Sequence, residues 1–553
     1  MPTITFSLND LNQLVGKKLT KEKVSELLEH AKAEIESEEK GELTLSVGDT
    51  NLPYLWSAEG IARLFKGLLG VKKGLDKLKI EKSKDVVIVD KSVSSVRPYI
   101  AAFSVKGKKV DEYLLKQIIQ LQEKFCHSYG MRRMKVAVGV YSYPKITFPV
   151  HYKATNPESV KFIPLGFKRE MTQGEILEMH PTGMEYAWIL KGCKNYPLLV
   201  DSKNAVLSFP PIINSDWSGK IESGDNELFF EATGTDKEAV QFAANIFAYA
   251  FAERGFKIYS VGVKYGAKTE QHPLPFNEKV KISADFVNSI LGTKLKESEL
   301  KSLLEKMRFG YEKGHALIPD YRRDIMHPVD VVEDVAIAYG YNKLPEFGMN
   351  TYTHGNTFPI TKFLDKIREL LVGQGYQEAF SHILANKNLL YGQMNVEDFG
   401  TIEIANPMTE TYSCVRTWIL PQLMEILGKS KNAEYPQKIF EEGLVTMKKD
   451  LKDYSRVALV TAHTKADFTE VKQVLDFIMD NLQIKYVIED TVHNSFIPGR
   501  VGRVIVNGKA VAYIGEMHPS VLSNFGLGVP AAAFELNLSD LFETLRVSDI
   551  RKS

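Results

Sequence analysis

The feature that most constrains the fold is a series of short apolar runs that recurs along most of the chain. Between residues 85 and 270, β-branched and aromatic runs such as VVIVD, YIAAFSV and LFFEATG are separated by turns, with helical stretches at 111–129 and 237–252. Such runs predict strands, and this alternation indicates an α/β domain with a mostly antiparallel sheet. Since no window approaches about 18 uninterrupted apolar residues, we expect no membrane-spanning segment.

Changes in this pattern divide the 553 residues into four predicted domains. At roughly 150 residues per domain, a chain of this length is expected to hold three to five. The fold class is therefore predicted as α+β multidomain. The predicted domains are an N-terminal α/β domain at 1–84, the antiparallel α/β domain at 85–270, a small helical module at 273–347, and a domain of helices and antiparallel strands at 350–553. Within them we predict a helical pattern over 7–33 and an irregular linker at 267–279.

Charge and cysteine content exclude several classes of protein. Lys and Arg number 70 against 69 Asp and Glu, and this near-neutral balance argues against a chain held to nucleic acid by bulk electrostatics alone. Residues 61–84 nevertheless carry a local charge of about +6, which indicates either a solvated helix face with its linker or a phosphate-facing surface. The three cysteines lie far apart with no CxxC pair, so we expect neither disulfide bonds nor a cysteine-rich zinc site, and a reducing cytosol fits this cysteine content.

Common catalytic motifs are missing from the sequence. Gly428-Lys429-Ser430 resembles the end of a phosphate-binding loop, but position 423, where the first glycine of that loop would stand, is leucine. The sequence contains no HExxH, no GxSxG and no dinucleotide fingerprint. Ordinary nucleotide, zinc and serine-hydrolase chemistry is therefore unsupported.

A cluster of acidic residues surrounds the predicted start of a helix at 328–339. The helix begins with a proline, which suits the first helical position, and we predict that Val329, Val332, Ala336 and Tyr339 form its buried stripe. The acidic residues are Asp324, Asp330, Glu333 and Asp334. They either complement the helix dipole or bind a hard cation or a basic partner chain.

Two further regions combine polar residues with strand ends. Pro210 and Pro211 are followed by Asn214, and Glu231 and Thr233 end another strand, a pattern that suits either a small polar pocket or ordinary turn chemistry. In the last domain, Arg416 lies between a strand and a helix. An arginine there can clamp a phosphate or carboxylate, or make an ordinary salt bridge.

Several segments together resemble the beta subunit of phenylalanine–tRNA ligase, in its shorter archaeal and eukaryotic type. They are TNLPYLWSAEGIAR, FPPIINS with TGTD, DYRRDIMHPVDVVEDVAIAYGYNKLP, and RTWILPQLMEIL with PQKIFEEG, and the resemblance extends from the first residues to about residue 540. It implies a cytoplasmic heterotetramer of two alpha and two beta chains that charges tRNA(Phe), with phenylalanine and ATP bound by alpha. It also implies that 85–270 is an editing domain that hydrolyses Tyr-tRNA(Phe), that 273–347 is related to DNA-binding folds, and that 350–553 is a class II synthetase-like module without catalysis.

The resemblance also implies particular site residues. The editing pocket would be lined by Leu199, Ser208, Pro210, Pro211, Asn214, Glu231, Thr233 and Thr235. A magnesium ion would be bound by Asp324, Asp330, Glu333 and Asp334. The sequence departs from the family at two places, with GVYS at 139–142 where GVHD is common and NLPY at 51–54 where NRPD is common.

Three functions compete at this point. The first is the ligase beta subunit. The second is a non-catalytic nucleic-acid-binding scaffold built on the helix pair at 282–307 and the basic stretch before residue 85. The third is a self-contained magnesium hydrolase centred on Asp324 and Asp330. The synthetase-like C-terminal module favours the first, since neither alternative uses it.

Overall fold

The computed structural model describes nearly the whole chain. The residues outside the description are Met1, Asp49, Thr50, Pro345, Phe347, Asn350 and 551–553, and for 546–550 only the backbone is described. The predicted domain boundaries at 347 and 350 therefore lie outside the described residues. The chain divides into two compact units, Met1–Gly348 and Met349–Ser553, and the finer division of the first unit into three domains stays a prediction.

Over its described residues, the first unit combines nineteen strands with eleven α-helices. The strands are β1 (Thr3–Ser7), β2 (Ala33–Glu39), β3 (Glu42–Val47), β4 (Ile80–Glu81), β5 (Val86–Val89), β6 (Tyr99–Lys106), β7 (Val136–Ser142), β8 (Val150–Thr155), β9 (Lys161–Phe162), β10 (Met171–Thr172), β11 (Tyr196–Val200), β12 (Val206–Phe209), β13 (Ile213–Asn214), β14 (Glu227–Gly234), β15 (Lys257–Tyr265), β16 (Lys268–His272), β17 (Lys279–Lys281), β18 (Gly310–Glu312) and β19 (His315–Leu317). The helices are α1 (Leu8–Val15), α2 (Lys21–Leu28), α3 (Ala58–Leu68), α4 (Glu112–His127), α5 (Gln173–Met179), α6 (Pro181–Tyr186), α7 (Asp216–Gly219), α8 (Lys237–Glu253), α9 (Ala284–Leu291), α10 (Glu297–Lys306) and α11 (Pro328–Tyr339).

The central sheet of this unit has the order β13-β12-β11-β8-β5-β15-β6-β14-β7. Most pairings are antiparallel, while β5 pairs in parallel with both β8 and β15. Helices α4 and α8 begin after Asp111 and Asp236, whose carboxylates accept hydrogen bonds from backbone amides of the first turn. Rings of the sheet and of α8 pack together in the core, with Phe230 and Phe247 centroids 4.8 Å apart.

The predicted helical pattern over 7–33 is largely confirmed by α1, α2 and a 3-10 turn at Glu29–Ala31, but strand β2, which begins at Ala33, was not predicted. The predicted linker at 267–279 is wrong in part. Strand β16 occupies the predicted linker and pairs with β15. Side chains of both strands are mostly exposed, so neither segment shows the apolar alternation that identifies a half-buried strand.

Helix α11 has the predicted bounds and part of the predicted buried face. Val332 and Ala336 are buried as predicted, but Val329 is 43% exposed, and Val331 and Val335 are buried as well. Asp334 is also buried, because its carboxylate accepts a hydrogen bond from the Arg322 guanidinium at 2.8 Å. The ion pair therefore places a carboxylate on the buried side of the helix, which its apolar residues alone do not predict.

The second unit contains a seven-stranded sheet and a separate two-stranded sheet. Its strands are β20 (Gln377–Glu378), β21 (Leu384–Ala385), β22 (Cys414–Val415), β23 (Gln437–Met447), β24 (Lys452–Ala462), β25 (Val487–Asp490), β26 (Phe496–Val506), β27 (Lys509–Met517) and β28 (Ala531–Asn537), and its α-helices are α12 (Pro359–Gly373), α13 (Leu420–Lys429), α14 (Phe468–Asn481), α15 (Pro519–Asn524) and α16 (Leu538–Ile550). The larger sheet has the order β20-β23-β24-β28-β27-β26-β25, and β21 pairs with β22. Two apolar clusters fill this unit, one including α12 and α14 and the other including α13.

The structure decides between the two interpretations of Arg416. Its guanidinium is buried and donates to Glu441 at 2.6 Å, to Gln422 and Ser381 at 2.9 Å, and to the Leu444 carbonyl. The buried ion pair with Glu441 and the other bonds of Nε and Nη1 hold this side chain within the fold, which supports the salt-bridge interpretation.

From the sequence we expect no disulfide bonds and no membrane-spanning segment. Cys126, Cys193 and Cys414 are free thiols. Among the helices that the structure describes, none combines the length and the apolar character needed to cross a membrane.

Candidate functional site

A cavity of about 200 Å³ opens at the ends of β12, β13 and β14 in the first unit. Six of the eight predicted editing residues line it. They are Ser208, Pro210, Pro211, Asn214, Glu231 and Thr233. The structure thus brings together two segments that lie about twenty residues apart in the sequence.

The other two predicted residues do not line the cavity. Leu199 is fully buried in β11, where it pairs with Ser208 and packs in an apolar cluster behind the cavity wall. Thr235 is exposed just after β14, and its amide donates to the Lys135 carbonyl. The cavity lining therefore includes neither residue, since Leu199 is covered by apolar neighbours and Thr235 lies beyond the strand end, and their assignment to an editing pocket stays a prediction.

Glu231 is the acidic group of the cavity and is only 3% exposed. Its Oε1 atom accepts a hydrogen bond from the Tyr141 hydroxyl at 2.9 Å, and that hydroxyl also lies 2.8 Å from Ser208 Oγ. Its Oε2 atom is buried and has no hydrogen-bond partner within the described part of the chain. A buried carboxylate oxygen without a partner is costly, so the cavity favours a ligand that donates a hydrogen bond there.

Tyr141 is the important residue that the predicted site lacked. It belongs to the GVYS segment that departs from the family pattern, and this departure was the only sequence signal for it. The neighbouring Gly139 lies opposite Glu231 in the sheet, and a Cβ there would come within 2.7 Å of the Glu231 carboxylate. Glycine at 139 therefore leaves the space in which the Tyr141–Glu231 bond forms.

Two arginines fix the cavity wall. Arg97 is buried and donates from Nε to Thr233 Oγ1 at 3.1 Å and from its terminal nitrogen to the Thr233 carbonyl at 2.6 Å. Arg133 donates to the Ile212 carbonyl at 2.7 Å and lies over the Tyr186 ring. Both bonds tie loop or strand backbone in place, which gives the cavity a preformed shape.

A second, larger cavity of about 780 Å³ adjoins the first. The two share Gln122, Arg133 and Thr182, and the larger one is also lined by Lys124 and His127. The groove is also lined by Glu123 and Glu185, so its charged side chains are of both signs. A small polar pocket thus opens beside a wider groove, which suits a ligand whose small end enters the pocket while its larger body lies in the groove.

Burial changes the ionisation of the cavity. It raises the pKa of Glu231 to about 7, against the lowering effects of the Tyr141 hydroxyl and the Arg97 charge. Burial and the Glu231 charge together raise the pKa of Tyr141 well above its usual value. Tyr141 therefore remains a hydrogen-bond donor throughout the neutral range.

This raised pKa predicts how stability depends on pH. The folded chain holds the Glu231 proton more tightly than the unfolded chain does, so stability falls as the pH rises from about 4.5 to about 7. The change is on the order of 3 kcal/mol for a pKa difference of this size. Glu231→Gln, which carries no charge at any pH, is expected to lose this dependence and to be the more stable protein at pH 8. Denaturant unfolding of both proteins at pH 5 and pH 8 measures the difference, and a gap that does not vary with pH would contradict it.

The four carboxylates predicted to bind magnesium are not gathered into one site. Asp324 accepts from Arg322 Nε at 3.0 Å, and Asp334 accepts from the same guanidinium. Glu333 pairs with Lys32 Nζ at 2.6 Å, and Asp330 caps α11. Across the described residues, no three acidic, histidine or cysteine side chains are placed to hold a metal ion. This arrangement does not fit an ion held by all four, because Arg322 supplies the positive charge between two of them.

Removing the Asp330 carboxylate tests the two roles. Its Oδ2 atom accepts from the amides of Met326 and His327, both at 2.7 Å, so Asp330→Ala is expected to lower stability by about 1 kcal/mol through loss of the cap. The same loss is expected in magnesium and in EDTA, measured by chemical unfolding. Magnesium that stabilises the original protein but not the variant would instead establish the metal site.

Comparison with known proteins places this geometry in a family. Residues 280–341 match the tRNA synthetase B5 domain, and residues 344–538 match the phenylalanyl tRNA synthetase beta chain CLM domain. The phenylalanine–tRNA ligase beta subunits of Pyrococcus horikoshii and Pyrococcus abyssi are each 42% identical over 98% of this chain and 100% of theirs. That of Archaeoglobus fulgidus is 37% identical over 98% of this chain and 99% of its own.

A solved structure supports the same assignment. The crystal structure of an N-terminal fragment of the phenylalanyl-tRNA synthetase beta subunit from Pyrococcus horikoshii is 42% identical, with a TM-score of 0.59. The match covers 62% of this chain and all of the fragment. The chain therefore belongs to the phenylalanine–tRNA ligase beta subunit family.

Proposed function

We propose that this chain works with an alpha subunit to attach phenylalanine to tRNA(Phe) at the expense of ATP. The assembly is a cytoplasmic heterotetramer of two alpha and two beta chains, and the alpha subunit binds phenylalanine and ATP. Support comes from relatives that match over nearly the full length of both chains. These relatives match both compact units of the chain, whereas the resemblance in the sequence rested on a few short segments.

The second unit is proposed to act as a class II synthetase-like module without catalysis. Its mostly antiparallel sheet supports this assignment, as does the family match over 344–538. The class II adenylation motif places an arginine near the chain's end, whereas Gly526–Gly528 is followed by an apolar strand. Arg416, which could have served a phosphate, is occupied by Glu441. The module's proposed role is to support the alpha subunit.

The first unit is proposed to hydrolyse Tyr-tRNA(Phe), and one observation carries this proposal. Within the described residues, Glu231 Oε2 is a buried acceptor without a partner, and Glu231 lines a small cavity beside a wider groove. A tyrosyl group in that cavity donates its phenolic hydrogen to this oxygen. A phenylalanyl group leaves the oxygen unpaired, so the pocket selects the wrong product and spares the right one.

Physical chemistry explains why a second site is needed. A synthetic site shaped for the phenylalanine ring rejects an added hydroxyl by only about 100-fold on packing grounds. A site that pairs with the hydroxyl discriminates by about 10⁴-fold or more, since the analogue without it leaves a buried polar group unsatisfied. Discrimination by Glu231 therefore complements the weaker rejection at the synthetic site.

The proposed hydrolysis uses water and the substrate's own ribose. Among the described residues lining the cavity, no serine–histidine pair supplies a nucleophile and its base. Water attacks the ester carbonyl with help from the terminal ribose hydroxyl of the tRNA, and the products are free tyrosine and uncharged tRNA. Glu231 and Thr233 orient the tyrosyl group, and no step depends on magnesium.

The assembled ligase provides the test of this activity. Purified Tyr-tRNA(Phe) and Phe-tRNA(Phe) are incubated separately with the complex, and release of the labelled amino acid is followed over time. We expect rapid release of tyrosine and little release of phenylalanine. Release of both at the spontaneous rate would contradict the proposal.

A further inference from the structure

Another cavity, of about 570 Å³, lies on one face of the sheet in the second unit and is separate from the two cavities of the first unit. Cross-strand pairing aligns its polar residues, because Arg456 lies opposite Asn537, and Tyr513 lies opposite both Glu535 and Arg503. Cross-strand partners share a face of the sheet, so these side chains form one polar row on adjacent strands. The volume lies within the range of small-molecule sites.

The row carries more positive charge than its carboxylates neutralise. Arg456 donates to Glu535 Oε1 at 3.0 Å, while its Nε is buried without a partner among the described residues. Arg503 lies 3.9 Å from the Tyr513 ring centroid and makes no ion pair with any carboxylate in the described part of the chain. Burial and the charge of Arg456 lower the pKa of Arg503, although the Tyr513 hydroxyl opposes this. Two arginines thus face one cavity, and of its two carboxylates Glu535 pairs with Arg456 while Asp540 pairs with Lys509, which leaves Arg503 without a carboxylate partner among the described residues.

Aromatic rings form the adjoining wall. The ring centroids of His493 and Tyr513 lie 4.6 Å apart, and those of Trp418 and His493 lie 6.0 Å apart. Burial, together with the Arg503 charge, lowers the pKa of His493 to about 4, so this ring is neutral at physiological pH. The wall therefore presents aromatic surface next to cationic groups, which suits a planar ring linked to an anion.

We propose that this cavity binds a nucleoside monophosphate. The base packs against the aromatic wall of Trp418, His493 and Tyr513, and the phosphate accepts hydrogen bonds from Arg503 and from Arg456 Nε. This site lies outside the machinery proposed for charging and editing, and it involves no adenylation chemistry.

The cavity fits this ligand better than an amino acid. An amino acid needs a free carboxylate for its ammonium group. Glu535 Oε2 already accepts from the amides of Ile419 and Leu420 at 2.9 Å, and Asp540 is paired with Lys509 at 2.6 Å. Inorganic phosphate, in turn, leaves the aromatic wall uncovered.

Photolabelling tests for this site in the assembled ligase. The complex is irradiated with radiolabelled 8-azido-AMP, and labelled peptides of this chain are mapped by mass spectrometry, which separates them from any labelled alpha-subunit peptides. We expect label in the peptides containing Trp418 or Tyr513, with protection by AMP but not by adenosine or inorganic phosphate at the same concentration. Protection by inorganic phosphate equal to that by AMP would overturn the role of the base, and equal protection by adenosine would overturn the role of the arginines.

A matched pair of arginine variants completes the test. Arg503→Gln is expected to raise the AMP concentration for half-protection about tenfold or more, since a charge-assisted contact is lost. Arg500→Gln is the control, because Arg500 lies on the same strand but is 61% exposed and pairs with Glu516 outside the cavity. Its half-protection concentration should equal that of the original protein. No label in the second unit, or label that both variants leave unchanged, would overturn the proposal.

Discussion

Replacing Glu231 with alanine is expected to reduce Tyr-tRNA(Phe) hydrolysis by the assembled ligase about 100-fold, with phenylalanine charging unchanged. The variant removes the Oε2 acceptor that we propose pairs with the tyrosine hydroxyl. In an assay above pH 7, where the Glu231 carboxylate is mostly ionised, a hydrogen bond to this charged, buried acceptor contributes about 1.5–3 kcal/mol, which corresponds to a loss of roughly 10- to 150-fold. Without this hydrogen bond the tyrosyl group can also rotate away from the attacking water, so we expect a loss in the upper part of this range.

A matched variant on the same strand separates editing from stability. Glu227 also lies on β14, but it is half-exposed and pairs with Lys106 at 2.9 Å outside the cavity. Glu227→Ala should hydrolyse Tyr-tRNA(Phe) at the original rate. The assay follows release of labelled tyrosine, with charging by the same preparation as the internal reference. Unaltered hydrolysis in Glu231→Ala would refute the role of this carboxylate.

The second large effect is expected from Arg322, which should be essential to the stability of the first unit. Its guanidinium is 5% exposed and lies between the buried carboxylates of Asp324 and Asp334. Arg322→Met keeps much of the side chain's volume but leaves two buried carboxylates without a counter-charge. We expect a loss of about 3–5 kcal/mol, measured by denaturant unfolding at pH 7.

The neighbouring arginine provides the control for this prediction. Arg323 pairs with Glu238 and Glu278 at the surface, and exposed pairs contribute at most about 1 kcal/mol. Arg323→Met should therefore cost little. Equal losses in the two variants would show that burial of the Arg322 pair does not matter. A rescue of Arg322→Met by magnesium would show instead that a metal can replace the guanidinium.

Local sequence patterns predicted the helices of this chain better than the faces they bury. Proline at position 328 and the following apolar residues predicted the bounds of α11. The buried face depends on Arg322, which precedes the helix and draws Asp334 inward. A stripe drawn from apolar residues alone contains no information about such a partner. Strands such as β2 were missed for a related reason, since their exposed side chains carry no alternation.

The candidate site was predicted only as far as its segments resemble a family. The resemblance identified six residues that line the cavity. The sequence between the two segments that contain them does not predict that these segments lie side by side in the folded chain. Gln122, Arg133, Leu165 and Thr182 complete the lining from other elements, and each is an ordinary polar or apolar residue in its own segment. Their role arises only when the sheet brings distant strands together. Tyr141 is the exception, because its departure from the family pattern marked it in the sequence.

Charging of tRNA(Phe) with labelled phenylalanine tests the central claim most directly. The chain is assayed alone and then mixed with the alpha subunit encoded in the same genome. The proposed function predicts no charging by the chain alone and ATP-dependent charging by the mixture. Charging by the chain alone would contradict the assignment of its second unit as a module without catalysis. An inactive mixture, in which both chains are folded and assembled, would contradict the proposed function itself.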